Sequence, residues 1–141
     1  MVIVDTSVWV EFFRRDGDPH VKLALKGLLD AYACAVCGPV EMEFLGGARV
    51  DEMKRIQSWF NVIPYVKNDP KIWRLAATNY ARLRGAGFIV PWNDILIATL
   101  SLEKDMAVYA HDKHFSIMRD VLGIQLYEPG YNGMFNPDFE K

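Results

Sequence analysis

Cysteine is scarce in this chain of 141 residues, with Cys34 and Cys37 the only two. They form a lone C-x-x-C inside Tyr32-Ala33-Cys34-Ala35-Val36-Cys37, a stretch that reads as a short buried strand. Strand positions three apart point to opposite faces, so these thiols converge neither on a metal nor on each other. No second Cys pair or His pair completes a zinc set, and two buried structural thiols are expected. Positive charge is not in excess either: sixteen Lys plus Arg face eighteen Asp plus Glu, giving −2 and a pI near 5.9. That argues against a protein that coats nucleic acid through bulk charge. It leaves room for a nuclease that meets phosphate through metal ions and a local basic patch. Long apolar runs are missing, the longest being only a handful of residues against the roughly 20 of a membrane span. The opening Met1-Val2-Ile3-Val4-Asp5 has no basic leader region and reads as structure. There is no internal repeat or low-complexity tract. A glycine-rich phosphate loop, a G-x-S-x-G elbow and an H-E-x-x-H pair are absent as well. The expectation is one cytoplasmic domain with no membrane segment.

What is present is material for a core: 51% of residues are apolar and 24% charged, in a length common for a single domain. Val2-Ile3-Val4 reads as a buried strand, Asp5-Thr6-Ser7 as a capping turn and Val8 to Phe13 as a helix. Val21 to Leu29 is an amphipathic helix. After the cysteine strand, Gly38-Pro39 suits a helix entry, with the helix running from Val40 to Leu45 and stopping at Gly46-Gly47. Asp51 to Phe60 gives a further helix and Val62-Ile63 a third strand. Asp69-Pro70 caps a long helix, Lys71 to Arg84, and Pro91-Trp92 opens another, Asn93 to Leu102. Ala107 to Ala110 is a strand, Phe115 to Val121 a short helix and Ile124 to Tyr127 a last strand. Glu128 to Lys141, rich in Gly, Pro and Asn, is expected to be a loosely held tail. Short apolar strands alternating with helices predict a three-layer α/β/α domain with a central parallel sheet. In such sheets ligands bind beyond the carboxyl ends of the strands.

Three aspartates fall at that end. Asp5 follows the first strand, Asp112 follows the strand ending at Ala110, and Asp94 sits in the first turn of a helix apolar nearly all round. Glu43 lies on the helix after the second strand. Each has a plain alternative, as a helix cap, a complement to the helix dipole or a solvated side chain. Four carboxylates at one end of one small sheet, however, repel one another unless something positive lies between them. Mg²⁺ and Mn²⁺ prefer carboxylate oxygen and water. Ions held there can polarise a phosphodiester and acidify an attacking water.

Val2-Ile3-Val4-Asp5-Thr6-Ser7-Val8-Trp9 resembles the opening of PIN-domain nucleases, particularly the VapC toxins of toxin–antitoxin pairs. Gly38-Pro39-Val40-Glu41-Met42-Glu43-Phe44-Leu45-Gly46-Gly47-Ala48-Arg49 is similar to that family's second acidic motif, with Glu43 at the acidic position. Leu83-Arg84-Gly85 through Pro91-Trp92-Asn93-Asp94-Ile95-Leu96-Ile97-Ala98 resembles the third, with Asp94 as the acid. Ala110-His111-Asp112-Lys113-His114-Phe115 resembles the fourth, with Asp112 as the acid. The matches run in order over residues 1–127, a PIN-like nuclease domain, with 128–141 as a C-terminal tail. The resemblance implies a Mg²⁺- or Mn²⁺-dependent endoribonuclease in which Asp5, Glu43, Asp94 and Asp112 serve as metal ligands and catalytic acids, with Thr6 as an active-site neighbour. It also implies a structured RNA target, often tRNA, a cognate VapB-type antitoxin and a homodimer. The chain departs from the pattern at Ala110, where the family often has Thr, and at His114, where it often has a further acid.

Other readings stay open at this stage. Thr6 and Ser7 cap a helix or direct hydroxyls at phosphate. Asn93 caps a helix or binds substrate, and His111 and His114 are RNA contacts or loop residues. Some of Arg14, Arg15, Arg49, Arg82, Arg84 and Lys113 must face phosphate. The apolar residues Val8, Trp9, Phe12, Phe13, Val21, Leu25, Leu28 and Leu29 either fill the core or leave a groove for an antitoxin helix. One rival enzyme is a phosphoryl-transfer protein with Asp5 as nucleophile; Ser7 stands where that class places a second Asp. A non-catalytic RNA- or antitoxin-binding PIN-like module is the other rival.

Overall fold

The computed structural model describes residues 1–140. Its elements follow in the order β1 (Val2–Val4), α1 (Thr6–Phe13), α2 (Pro19–Asp30), β2 (Cys34–Cys37), α3 (Gly38–Gly47), α4 (Val50–Val62), β3 (Tyr65–Val66), α5 (Pro70–Gly85), α6 (Trp92–Glu103), β4 (Ala107–Tyr109) and α7 (Lys113–Leu122). The four strands form one parallel sheet in the order β3-β2-β1-β4, flanked by helices as the α/β/α expectation requires. β1 pairs Val2 with Cys34 on one side and with Ala107 on the other. Its three residues are wholly buried, as a central strand covered on both faces must be.

From β1 the chain steps outward to β2 and β3, then returns across the sheet to place β4 on the opposite side of β1. The reversal point lies between the carboxyl ends of β1 and β4, where parallel sheets open a crevice. The Asp5 amide donates to the Tyr109 carbonyl at 2.9 Å and so continues the ladder to the lip of that crevice.

Trp9 of α1 is fully buried and organises one side of the domain. Its ring centroid lies 5.1 Å from that of Phe60 on α4 and 6.4 Å from Phe44 on α3, with Phe13 6.2 Å away. Such aromatic pairs add about 0.5–1.5 kcal/mol each beyond their burial. They lock α3 against α1 and thereby fix the residue next to Phe44, which is Glu43. On the other side, Asn79 of α5 donates to Thr99 Oγ1 of α6 at 3.0 Å, and Thr99 donates to the Ile95 carbonyl at 2.7 Å. Both side chains are buried, and the link sets how α6 lies on α5.

Several expectations need correction. The third strand is Tyr65–Val66, not Val62-Ile63, because the apolar spacing of Ile56, Phe60 and Ile63 carries α4 onward and leaves Val62 exposed. Pro64 then breaks the helix, and its carbonyl accepts from the Val36 amide at 2.9 Å. The last strand shrinks to a single parallel bridge, Val108 to Leu126. Residues 131–136 are not loosely held. Gly133, at φ +81°, lies so close to α2 that a Cβ there would stand 2.9 Å from the His20 carbonyl oxygen, and the Tyr127 hydroxyl accepts from the Asn136 amide at 3.0 Å. Of the tail expected over 128–141, Lys141 lies outside the described residues. Both thiols are free and buried, and burial pushes each up to about 12. No helix among the described residues is long and apolar enough to cross a membrane.

Candidate active site

Asp5 is 4% exposed and caps α1. Its Oδ2 accepts from the Ser7 amide at 3.0 Å and from the Ser7 hydroxyl at 2.6 Å. Ser7 Oγ in turn accepts from the His111 amide at 2.9 Å. One small hydroxyl thus ties the end of β1 to the segment leaving β4. Asp112 caps α7, its Oδ1 accepting from the His114 amide at 2.8 Å. The plain capping reading is therefore true of Asp5 and Asp112, but it is not the whole of their surroundings.

Asp94 enters from the first turn of α6, where residues 94–101 are all buried. That helix is apolar all round because it runs through the middle of the packing, which draws the carboxylate inward with it. Glu43 enters from α3, and Asn93 Nδ2 donates to its Oε2 at 2.8 Å. Asp5, Glu43, Asp94 and Asp112 line one open cleft of about 400 Å³, together with Thr6, Ser7, Glu11, His111 and His114. All four sequence-predicted acids thus converge. Thr6 joins them as the first residue of α1, with its Oγ1 buried and unbonded. Glu41, two residues from Glu43, does not line the cleft.

The electrostatics are one-sided. No lysine or arginine among the described residues lines the cleft. The Asp94 carboxyl is pushed up to about 7, first by burial and then by the negative charges of Asp5, Asp112 and Glu43. Asp5 is also raised, chiefly by burial and in part by Glu43, while the hydrogen bonds from Ser7 pull the other way. Carboxylates that raise one another's proton affinity form a site short of positive charge. A hard divalent cation fits that donor set. Oxygens of Asp94 and Asp112 and a ring nitrogen of His114 lie within 4.8 Å of one another.

Sequence reasoning weighed Ser7 and Asn93 only as caps or substrate contacts, and the structure gives them other work. Ser7 bridges Asp5 and His111, while Asn93 holds Glu43 and leaves the cap of α6 to Pro91. The second link joins residues 50 apart, and nothing in the local sequence signals it. Beside the acids runs a groove of about 730 Å³ between α1, α3 and α4, which shares Thr6, Val10 and Glu43 with the cleft. Arg14, Arg15 and Arg49 line it as candidate phosphate contacts, joined by Arg55, which the sequence did not single out. Arg14 and Arg49 are paired there with neighbouring acids and Arg55 lies over the Phe13 ring, while Arg82 and Arg84 contact the Val121 carbonyl and the Tyr80 ring away from the groove. Of the apolar set weighed as a partner groove, Val8, Trp9, Val21, Leu25 and Leu28 are core. Phe13 lines the groove with Val10.

A parallel sheet whose switch point gathers five carboxylates and two histidines, with no lysine or arginine among the described residues, defines a small α/β domain with an acidic cleft. The chain belongs to the PIN domain family, which it matches over residues 2–121. It is 33% identical over 130 residues to Ribonuclease VapC11 of Mycobacterium tuberculosis and, equally, to VapC ribonuclease Mb1587 of Mycobacterium bovis, covering 89% of this chain and 96% of each relative. The fold is shared with VapBC2 from Rickettsia felis, solved bound to a promoter DNA fragment, at a TM-score of 0.73 and 15% identity over 90% of this chain and 98% of that one. FitAcB from Neisseria gonorrhoeae aligns at 0.67 and 16% identity over 86% and 94%.

Proposed function

We propose that this protein is a Mg²⁺- or Mn²⁺-dependent endoribonuclease, acting as the toxin of a toxin–antitoxin pair in the cytoplasm and held inactive by a VapB-type antitoxin. The observation that carries the reading is the convergence of Asp5, Glu43, Asp94 and Asp112 in a cleft that no lysine or arginine among the described residues lines, in a chain whose relatives are named as VapC ribonucleases. The four acids would hold the cation. When bound, the ion supplies charge to polarise a phosphodiester and acidify a water. Asp94, raised to about 7, is ready to give up its proton as positive charge arrives. Ser7 keeps Asp5 oriented, and Asn93 keeps the more exposed Glu43 turned inward. Thr6, its hydroxyl buried and unbonded beside Asp5, is free to donate to a phosphate oxygen. The arginines of the adjoining groove would lead a structured RNA, such as a tRNA, toward the acids.

The aspartyl-phosphate alternative needs Asp5 as a free nucleophile. Ser7 occupies its Oδ2 with two hydrogen bonds, and no residue supplies that class's second Asp.

Purified protein incubated with total cellular RNA tests the reading. Discrete fragments are expected with Mg²⁺ or Mn²⁺ and intact RNA in EDTA. RNA left intact in every buffer, or cut equally in EDTA, would overturn it.

A further inference from the structure

His114 stands in the first turn of α7, two residues after Asp112. Its ring is only about a quarter exposed (25%), and its Nδ1 lies 2.8 Å from Asp112 Oδ1 and 3.5 Å from Asp94 Oδ2. Nδ1 is nonetheless buried and without a hydrogen bond, so neither contact has the geometry of an N–H aimed at an oxygen. A ring nitrogen this close to two carboxylate oxygens needs either a well-directed proton or a cation between them. The first is missing. The second matches the spacing: around an ion with ligands at about 2.1 Å, neighbouring donor atoms stand roughly 3 Å apart.

Resting on the metal-dependent reading above, we infer that His114 Nδ1 is itself a ligand of the catalytic cation and that this nitrogen makes the site select Mn²⁺ over Mg²⁺. Mg²⁺ takes oxygen donors in a strict octahedron and sheds water reluctantly. Imidazole suits the first-row transition metals, and a mixed nitrogen and oxygen set raises their advantage. A ligating Nδ1 must be unprotonated, which puts the ring's one proton on Nε2. His114 therefore replaces a family carboxylate without losing the ligand. It exchanges an oxygen for a nitrogen and with it the choice of metal.

The test uses metal-stripped protein and needs no RNA. Pulsed electron paramagnetic resonance of the Mn²⁺-loaded wild type is expected to show coupling to an imidazole nitrogen. Calorimetric titration should show Mn²⁺ bound at least about tenfold more tightly than Mg²⁺. His114→Asn should abolish the coupling and weaken Mn²⁺ by about tenfold or more, on the scale of a lost ligand interaction, with Mg²⁺ changed far less. His114→Asp, whose acid suits the first turn of a helix, should lose the coupling while narrowing the gap between the two metals. Bound Mn²⁺ with no nitrogen coupling, or an equal loss of both metals in His114→Asn, would overturn the inference and leave the nuclease reading standing. If Mn²⁺ fails to bind wild type at all, both fall together. Asp94→Asn separates the cases, since it should cost binding of both ions.

Discussion

Asn93 donates to Glu43 at 2.8 Å across 50 residues of chain, joining the N-terminus of α6 to the middle of α3. Glu43 is exposed, unlike the buried Asp5 and Asp94, and sits partway along α3, so its inward orientation depends on this contact. Removing the amide in Asn93→Ala should leave the fold intact, because Asn93 is not the cap of α6. Metal affinity should fall about tenfold, the usual scale for losing a group that orients a ligand, and excess metal should restore RNA cleavage. Unchanged affinity would show that Glu43 needs no positioning.

Asp5 and Ser7 separate chemistry from scaffolding. Asp5→Asn keeps the shape of the cap but removes a charge, and cleavage should fall at least about a hundredfold, the scale of lost electrostatic stabilisation. Melting in EDTA should not fall. Ser7→Ala should behave in the opposite way, because it strips a hydrogen bond from Asp5 and another from the His111 amide. A loss on the order of 1 kcal/mol in stability is expected, with a smaller loss in cleavage. Thermal melts and initial rates of both variants decide the point.

Val10 bears on the antitoxin. It is 37% exposed and, with Phe13 and the arginines, lines the groove beside the acids. Phe13 packs on Phe44 at 5.5 Å and cannot be changed without disturbing α3. Val10→Ser avoids that problem. It should weaken the complex with the antitoxin about tenfold, as expected for an apolar anchor at an interface, and leave metal affinity alone. Pull-down after co-expression and a metal titration give the two readings.

Oligomeric state has its own surface. Trp73, Tyr80 and Trp92 border an apolar cleft of about 390 Å³ between α5 and α6 that shares no lining residue with the groove, and Trp73 and Trp92 are 56% and 73% exposed. Large apolar side chains gathered this way mark an association surface. We expect a homodimer through this face. Trp73→Ser should yield a monomer by light scattering, with little change in the melting of the monomer itself. A wild type that is monomeric at micromolar concentration would remove the expectation.

Much of the site was legible because its parts obey local rules. Asp5 and Asp112 sit where strands end and helices begin, and the apolar run from Ile95 to Leu100 announced that Asp94 would be carried into the interior. Glu43 was legible through its motif, since nothing local distinguishes it from Glu41 except direction on the helix. What failed was non-local. The turn of Asn93 toward Glu43, the bridge of Ser7 to His111 and the packing of Gly133 on α2 all depend on segments brought together by the fold. Strand boundaries failed for a different reason: Tyr65–Val66 is too short to carry a pattern, and Val62-Ile63 reads as strand only if α4 is ended too soon. Val8 showed that an apolar residue at a helix start can belong wholly to the core.

Asp94 offers the sharpest test, because repulsion and capping predict opposite outcomes. Its folded pKa, about 7, lies above the ordinary 3.8, so between those values the native state binds more protons than the unfolded chain. Stability of the metal-free protein should therefore fall as pH rises through that window, and the penalty should be complete above about 7. Asp94→Asn removes the titration. In EDTA near pH 8 it should melt higher than wild type, by on the order of 1 kcal/mol, and its melting should lose most of the slope between pH 5 and 7. Added Mn²⁺ or Mg²⁺ should stabilise wild type by mass action and the variant far less. An acid that merely complemented the helix dipole would behave otherwise: its loss would cost a few tenths of a kcal/mol up to about 1, and metal would make no difference. Melting curves of the two proteins at pH 5, 7 and 8, with EDTA and with Mn²⁺, separate these outcomes. If Asp94→Asn destabilises equally in every buffer, the four acids do not share a cation site at this position.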